Sequence, residues 1–325
     1  MKKVKRVLTV VLTIVVLFAC SVGSSAYEFP VDKVGYTIDE PYDYPIKPGT
    51  DEWFKIEDHV EKREMLQIPQ DVLEKMTTES LVESIANYPY LLDMLAFSTQ
   101  KLGYEAVRNG FNGLQELERR PDGMSCLAKY YEKNQKNLNF VVRSAIQITL
   151  DANRDEKEPQ DTELTRVFLP TTPSGNTVTS SWCNYNTSPD WSEDDIEAIN
   201  DDIFDTYGLT PLRQPTWKYN CHSYAWYDQS SSNLWWIAYP DDFMADDYYA
   251  ENTGLICSGN KAVYRLNATS TEYLHSAIVV HVGSGSGPNP PITVISKWGP
   301  LGLYSHTLYN CPPEYGRNML FYKVA

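Results

Sequence analysis

Three polar residues in the last third of the chain have the types and spacing that thiol chemistry requires. Cys221 lies between polar residues, His275 begins an apolar run, and Ser296 lies in the next apolar run. In a thiol hydrolase a cysteine attacks a carbonyl carbon, an imidazole accepts the thiol proton, and a third polar group orients the imidazole. We therefore predict Cys221 as the nucleophile, His275 as its base and Ser296 as the group that holds the imidazole.

The neighbours of Cys221 indicate how its thiol is placed. Neither Gly nor Pro interrupts residues 221–227, so the sequence predicts a helix that begins at the cysteine. Backbone N–H groups at such a helix start lower the pKa of a thiol and bind a developing oxyanion. Asn220 and His222 are supporting candidates, although His222 is adjacent in sequence and points elsewhere on a helix. The alternative is a structural cysteine that is buried as a small apolar side chain.

Two further polar residues are supporting candidates for the third position. Lys297 follows Ser296 directly, and His306 lies in a later short strand. A charged lysine cannot accept a hydrogen bond from an imidazolium, so Ser296 or a main-chain carbonyl is the better orienting group. His306 is an alternative polar partner.

Aromatic residues near these positions are candidates for the wall of a substrate cleft. We assign this role to Tyr219, Trp226 and Trp298. Residues 235–249 add six aromatic side chains that alternate with acidic ones. Aromatic side chains of this kind stack on sugar rings or close a cleft, while packing in the core is their commoner role.

The elements that must position these residues follow from the spacing of apolar residues. In residues 65–150 the spacing is helical and is interrupted by Asn-Tyr-Pro and Gly-rich turns, which predicts a small all-α domain. In residues 181–325 a helix comes first and β-branched runs follow, which predicts a helix on an antiparallel sheet, an α+β domain. Residues 151–180 predict a polar linker, and residues 27–64 predict an acidic extended arm.

Residues 192–208 give the clearest helix signal in the chain. Ser192 is the predicted N-cap, Asp195 completes a capping box, and Gly208 ends the helix. The acidic first turn lacks the alternating oxygen ligands and central Gly of a calcium loop, which favours helix capping over metal binding.

The composition is that of a globular protein with an acidic surface. Of the 325 residues, 42% are hydrophobic and 22% are charged, and the formal net charge is −15. Because the phosphates of nucleic acid would be repelled, we expect no nucleic-acid partner, and we expect a monomer. The cysteines form no CxxC pair, and we expect neither a metal nor a cofactor.

The first 26 residues have the pattern of a cleaved signal peptide. Four basic residues precede an uncharged apolar run over residues 7–18, and small residues follow. The run is shorter than the about 20 residues that a membrane span needs, which favours cleavage over a transmembrane anchor. A lipoprotein-like sequence ends at Cys20, but the bulky Phe18 disfavours lipidation. We predict a secreted or cell-surface protein whose mature chain begins near Tyr27 and does not span a membrane.

The cysteine count is odd once the signal peptide is removed. Five cysteines remain, and an odd cysteine in a secreted protein indicates a free thiol, which we assign to Cys221. The other four allow up to two disulfides in three pairings: Cys126, Cys183, Cys257 and Cys311.

Short motifs in residues 181–325 resemble a group of secreted bacterial proteins. The motifs are Asn-Cys-His-Ser-Tyr-Ala-Trp at 220–226, His-Ser-Ala-Ile-Val at 275–279, Ser-Lys-Trp-Gly at 296–299, and His306. The group looks like papain-like cysteine hydrolases of the NlpC and CHAP type, here preceded by a helical segment. The resemblance implies Cys221 as nucleophile and His275 as base. The third position departs from the family's usual His, Asn or Asp, since this sequence offers Ser296 and Lys297.

These observations lead to two competing functions. The first is a secreted cysteine peptidase or amidase that cleaves amide bonds, with a peptide or peptidoglycan fragment as its partner. The second is a catalytically silent module that uses the same fold to bind a cell-surface or cell-wall partner. Acyl transfer by the same thiol is a further alternative. The fold alone does not choose among them.

Overall fold

The computed structural model describes residues 37–154, 169–184, 190–284 and 291–325. The predicted signal peptide with Cys20, the start of the predicted arm and much of the predicted linker lie outside the described residues. Among the described residues, no helix is long and apolar enough to cross a membrane. Helices precede a sheet-rich C-terminal part, so the predicted α+β class is confirmed.

Short capped helices make up the N-terminal part. Side chains at their first turns accept hydrogen bonds from otherwise unpaired N–H groups, as Thr77 does from Ser80 and Thr99 does from Leu102. The helices are α1 (Asp51–Lys55), α2 (His59–Met65), α3 (Gln70–Leu73), α4 (Thr78–Ala86), α5 (Gln100–Gly110), α6 (Asn112–Arg119), α7 (Gly123–Asn134) and α8 (Phe140–Ala152).

The range 27–64 is not an extended arm throughout, because α1 and all but the last residue of α2 lie within it. Thr50 caps α1 and Asp58 caps α2 through their side-chain oxygens. Trp53 on α1 is fully buried, and its indole N–H donates to the carbonyl of Thr206 at 2.7 Å. The partner lies 153 residues further along the chain. The local sequence of the arm therefore carried no sign of this burial.

The helix predicted over residues 192–208 is confirmed as α9 (Glu193–Tyr207). Ser192 and Asp195 form the capping box, and Gly208 ends the helix in the left-handed conformation with φ of 67°. The left-handed conformation favours glycine because a Cβ atom is strained there. The helix buries Ile199, Ile203 and Tyr207, the apolar face of its sequence.

In the described parts of the chain, eight strands form two antiparallel sheets. The strands are β1 (Ser181–Cys183), β2 (Trp235–Ile237), β3 (Tyr249–Glu251), β4 (Lys261–Arg265), β5 (His275–Val282), β6 (Ile292–Lys297), β7 (Leu303–Thr307) and β8 (Asn318–Val324). A short helix, α10 (Asp241–Met244), precedes β3. Strands β1 and β2 pair with each other, and the other six form one sheet in the order β3-β8-β4-β5-β6-β7.

At one end of the six-stranded sheet, the first residues of β5 are not paired with β6. The ladder between β5 and β6 begins with Ile278 opposite Ile295, while His275 pairs with Tyr264 on β4. The first residues of β5 therefore have a ladder partner on one side only. The segment that carries the candidate nucleophile packs against this end of the sheet, where His222 and Trp226 contact Ser276.

Two apolar clusters form the core. The larger cluster contains residues from the helices and from the sheet, such as Trp53, Leu81, Phe97, Val294 and Trp298. The smaller cluster packs Tyr219 and Trp226 on strand residues including Val263 and Ile278. Residues 37–325 form one compact unit. The predicted helical domain and the predicted α+β domain are therefore parts of one packing unit and not separate bodies.

Candidate active site

Cys221 begins a short helical turn, as the sequence predicts. Cys221 and His222 are helical and lead into a π-helical turn, Ser223–Tyr227; we call residues 221–227 the Cys221 turn. The side chain of Asn220 caps it, since its Oδ1 accepts the N–H of Ser223 at 3.1 Å. The Asn220 amide also donates to the carbonyl of Ile237 at 2.6 Å and so fixes the turn to β2. The supporting role predicted for Asn220 is thus structural positioning.

The thiol of Cys221 is not acidified in this structure, which corrects the expectation from its place at a helix start. The side chain is fully buried, and burial raises the pKa of the Cys221 thiol to about 12 because the thiolate loses its hydration. The backbone N–H groups of Ser276 and His222 and the charge of Lys297 act in the opposite direction. They favour the thiolate, but the desolvation effect is larger.

Lys297 brings a buried cation close to the thiol. Its ammonium donates to the carbonyls of Thr216, Gly299 and Leu301 at 3.0, 2.7 and 2.5 Å. Burial lowers the pKa of Lys297 to about 7, while Cys221 favours the charged ammonium. Lys297 therefore stabilises negative charge on the sulfur, and its three donor bonds leave it no orienting role toward an imidazole.

His275 is fully buried, and neither of its ring nitrogens has a hydrogen-bond partner. Its ring stacks on Tyr315 at a centroid distance of 4.0 Å and an angle of 5°, and meets the ring of Tyr264 edge-on. Burial lowers the pKa of His275 well below its usual value, so the ring is neutral. No hydrogen bond joins this ring to Cys221. Burial raises the pKa of Tyr315, the residue stacked on His275, and a negative charge on Cys221 would raise it further.

The residue after His275 connects β5 to the Cys221 turn. Successive side chains of a strand point to opposite faces, so Ser276 faces away from the His275 ring. The Ser276 hydroxyl lies 2.8 Å from Nδ1 of His222 and accepts the indole N–H of Trp226 at 3.0 Å. Burial lowers the pKa of His222 to about 3, so its ring is neutral; its Nδ1 is paired with Ser276, while its buried Nε2 has no hydrogen-bond partner.

Ser296 holds a different histidine from the one predicted. Its hydroxyl lies 2.7 Å from Nε2 of His306, and Nδ1 of His306 donates to the carbonyl of Thr307 at 2.8 Å. The Nδ1 proton fixes the tautomer, so Nε2 of His306 accepts the Ser296 proton. Ser296 also accepts the indole N–H of Trp298 at 3.0 Å. The predicted Ser296–His275 contact is therefore wrong, because the proton of the hydroxyl is already committed to His306.

The three aromatic residues predicted to line a cleft are core residues. Trp298 is fully buried between Tyr207 and Tyr304, both at centroid distances of 4.9 Å. Trp226 is buried against aromatic residues of β3 and β8. Tyr219 is buried with the Lys297 ammonium 5.3 Å from its ring centre. Each has a large apolar surface that packing in the core removes from water.

Three of the four cysteines that were candidates for disulfides have free thiols. Cys126, Cys257 and Cys311 are free thiols, as is Cys221. Cys126, Cys221 and Cys311 are buried, and Cys257 is exposed. Cys257 therefore serves as an internal reference for thiol reactivity, and Cys311 as a matched buried control.

Comparisons of the chain with protein-family models, with curated proteins and with solved structures find no match. Among the described residues, no group of three or more His, Cys, Asp or Glu side chains could hold a metal ion. Sequence reasoning missed Ser276, whose backbone N–H acts on the Cys221 sulfur, and Tyr315, whose ring stacks on the candidate base. The only available sign of Ser276 was its place beside His275.

Proposed function

We propose that the protein is a thiol-dependent hydrolase of amide bonds, with Cys221 as nucleophile and His275 as base. Exported peptides or peptidoglycan fragments are the substrates that the resemblance to papain-like hydrolases suggests. The predicted signal peptide supports action outside the cytoplasm. Ser296 has no part in this proposal.

The unpartnered ring of His275 carries the proposal. Buried polar groups are nearly always hydrogen-bonded, and an unsatisfied one costs about 1–3 kcal/mol. His275 leaves two ring nitrogens unsatisfied, one residue away from the backbone N–H that acts on the Cys221 sulfur. A histidine with only a structural role would not need to leave both ring nitrogens without hydrogen bonds. A neutral imidazole with a free lone pair is what a general base requires.

The reaction runs through a thioester. The Cys221 proton moves to the free nitrogen of His275, and the sulfur attacks the substrate carbonyl carbon. The protonated imidazole then gives the proton to the leaving amine as the C–N bond breaks. Water, deprotonated by the same imidazole, hydrolyses the thioester and restores the thiol. The charge of Lys297 favours the thiolate in the first step.

The described site is closed, because Cys221 and His275 are both fully buried. Chemistry requires that a substrate displace groups around the thiol and bring the ring nitrogen within about 3 Å of the sulfur or of its proton path. Substrate-driven closure and opening of this kind is common in enzymes.

Substitution of the thiol tests the proposal. We expect Cys221→Ser to abolish the release of new amino groups from peptidoglycan fragments, measured by mass spectrometry. Cys311→Ser changes another buried thiol and is expected to keep wild-type turnover. Full turnover by Cys221→Ala on a substrate that the wild type cleaves would show that the thiol mechanism is wrong.

The raised pKa of the Cys221 thiol favours a second candidate, the catalytically silent binding module. A buried thiol with a pKa of about 12 carries almost no thiolate at neutral pH. Iodoacetamide separates the two candidates when cell-wall fragments are present. If Cys257 is labelled while Cys221 stays unlabelled, the binding module gains support; labelling of Cys221 supports the hydrolase.

A further inference from the structure

Four tryptophans from separate parts of the chain form a row that begins next to α8 and ends at Trp182, whose ring centroid is 6.2 Å from that of Trp236. The ring centroids of Trp191 and Trp217 are 4.8 Å apart, and those of Trp217 and Trp236 are 5.9 Å apart at an angle of 29°. Trp191 and Trp217 are half-buried, so part of each ring reaches the solvent. Packing in the core does not account for the exposed parts of these large rings.

A cleft of about 230 Å³ borders the tryptophan row. Besides Trp191 and Trp217, its lining includes a tyrosine, two amides and one pair of opposite charges: Tyr131, Gln100, Gln147, Arg143 and Asp151. The volume lies below the roughly 300–1,000 Å³ of pockets that enclose drug-sized ligands. The cleft therefore suits a single ring of a larger molecule.

A small recess of about 20 Å³ adjoins the cleft, and Gln100 and Trp217 line both. Ser98 also lines the recess, and its hydroxyl is buried without a hydrogen-bond partner. A space of this size holds about one water-sized group. An added hydroxyl there would satisfy Ser98, whose unpaired state otherwise costs free energy.

We propose that this cleft, with its recess, binds one ring of a neutral oligosaccharide. The face of a sugar ring is apolar and stacks on the Trp217 indole, while its hydroxyls pair with the Gln100 and Gln147 amides and with Ser98. Arg143 is paired with Asp195 and Asp151 with Arg154, so both charges at the cleft already have opposite partners, which matches a ligand without charge. The inference does not depend on the thiol chemistry of Cys221.

Calorimetric titration of the purified protein with chitotetraose, cellotetraose and laminaritetraose tests the inference. We expect at least one of them to bind with a Kd below about 5 mM. Trp217→Ala should raise that Kd about 10-fold, because it removes both the stacking face and the apolar area that the sugar ring would cover. Tyr239→Ala removes an exposed aromatic ring outside the cleft and should leave the Kd unchanged.

Ser98→Ala is the sharper variant, because its effects on binding and on stability should differ. The Kd should rise about 3- to 10-fold with loss of one hydrogen bond, whereas the melting temperature should stay equal or rise because an unsatisfied hydroxyl is removed. Cys221→Ser should bind the saccharide as the wild type does, so failure of the thiol mechanism is distinguishable from failure of this inference. Absence of binding by all three oligosaccharides, or wild-type affinity in both Trp217→Ala and Ser98→Ala, would overturn the inference.

Discussion

Two buried histidines of the six-stranded sheet, His275 on β5 and His306 on β7, differ in how their ring nitrogens are satisfied. His306 has a partner at each nitrogen, the Ser296 hydroxyl at one and the Thr307 carbonyl at the other. His275 has none, and its contacts are the aromatic rings of Tyr264 and Tyr315. Burial lowers the pKa of both rings, so both are neutral.

The difference separates a structural histidine from a functional candidate. Complete hydrogen bonding fixes the tautomer of His306 and ties β6 to β7, so this ring contributes to stability. The free nitrogens of His275 contribute nothing to stability, and they leave a lone pair available for a proton. The most informative feature of the site is therefore that His306 has a hydrogen-bond partner at each ring nitrogen, while His275 in the same sheet has none.

The largest expected effect comes from replacing each histidine by a ring without nitrogen. His275→Phe keeps a ring on Tyr315 but has no base, so we expect turnover to fall about 10³-fold, with the free energy of unfolding unchanged or higher. His306→Phe leaves the Ser296 and Thr307 partners unpaired, and we expect it to destabilise the protein by about 2 kcal/mol. Steady-state kinetics and urea unfolding of both variants measure this. The comparison fails if His275→Phe keeps full turnover and loses as much stability as His306→Phe.

The free energy of unfolding should fall at acidic pH, in part because His306 is buried in its neutral form. Its folded pKa is about 4, below the value of about 6.5 in an unfolded chain, so the native state binds fewer protons between these values. The stability contribution is present above pH 6.5 and is lost as the pH falls through about 4, with a total of about 3 kcal/mol. We expect His306→Gln to flatten part of this pH dependence in urea unfolding, while His59 and His222 retain theirs. His281→Gln, at an exposed position, is the control, and equal flattening by both variants would contradict the assignment.

The smallest effect is expected from Ser296→Ala. This variant removes one hydrogen bond to His306 and one from Trp298, and we expect a loss of about 1 kcal/mol in the free energy of unfolding. Turnover should stay within about twofold of the wild type, because the hydroxyl does not touch His275. A 100-fold loss of turnover with unchanged stability would show that Ser296 does act in the thiol site, against the present assignment.

The sequence predicts correctly those helices and strands whose formation depends on residues close together in the chain. Ser192, Asp195 and Gly208 set the ends of α9 because capping and left-handed termination act within one turn. The β-branched runs likewise predicted β4, β5 and β6 because their side chains suit a pleated surface. The helical start at Cys221 belongs to the same class of feature.

The features that the sequence did not predict depend on partners far along the chain. The sequence predicts an extended arm in place of α1, because Thr206, which pairs with Trp53, lies 153 residues away. The pairing of Ser296 with His306 depends on the register of β6 and β7, which places Val294 opposite His306. The pKa of Cys221 follows from total burial, and total burial is a property of the whole packed core. Spacing along the chain carries none of this information.

The hydroxyl of Tyr315 donates to the carbonyl of Ala96 at 2.6 Å across 219 residues of chain. A contact of such long range forms late, because the entropy of closing the intervening chain must be lost before the contact is made. The ring that supports the candidate base therefore reaches its place only after residue 315 has been synthesised. A nascent or truncated chain that ends before Tyr315 has its helical sequence but no ring beneath His275. The thiol site is thus a late product of folding, assembled only after the chain between Ala96 and Tyr315 has been made.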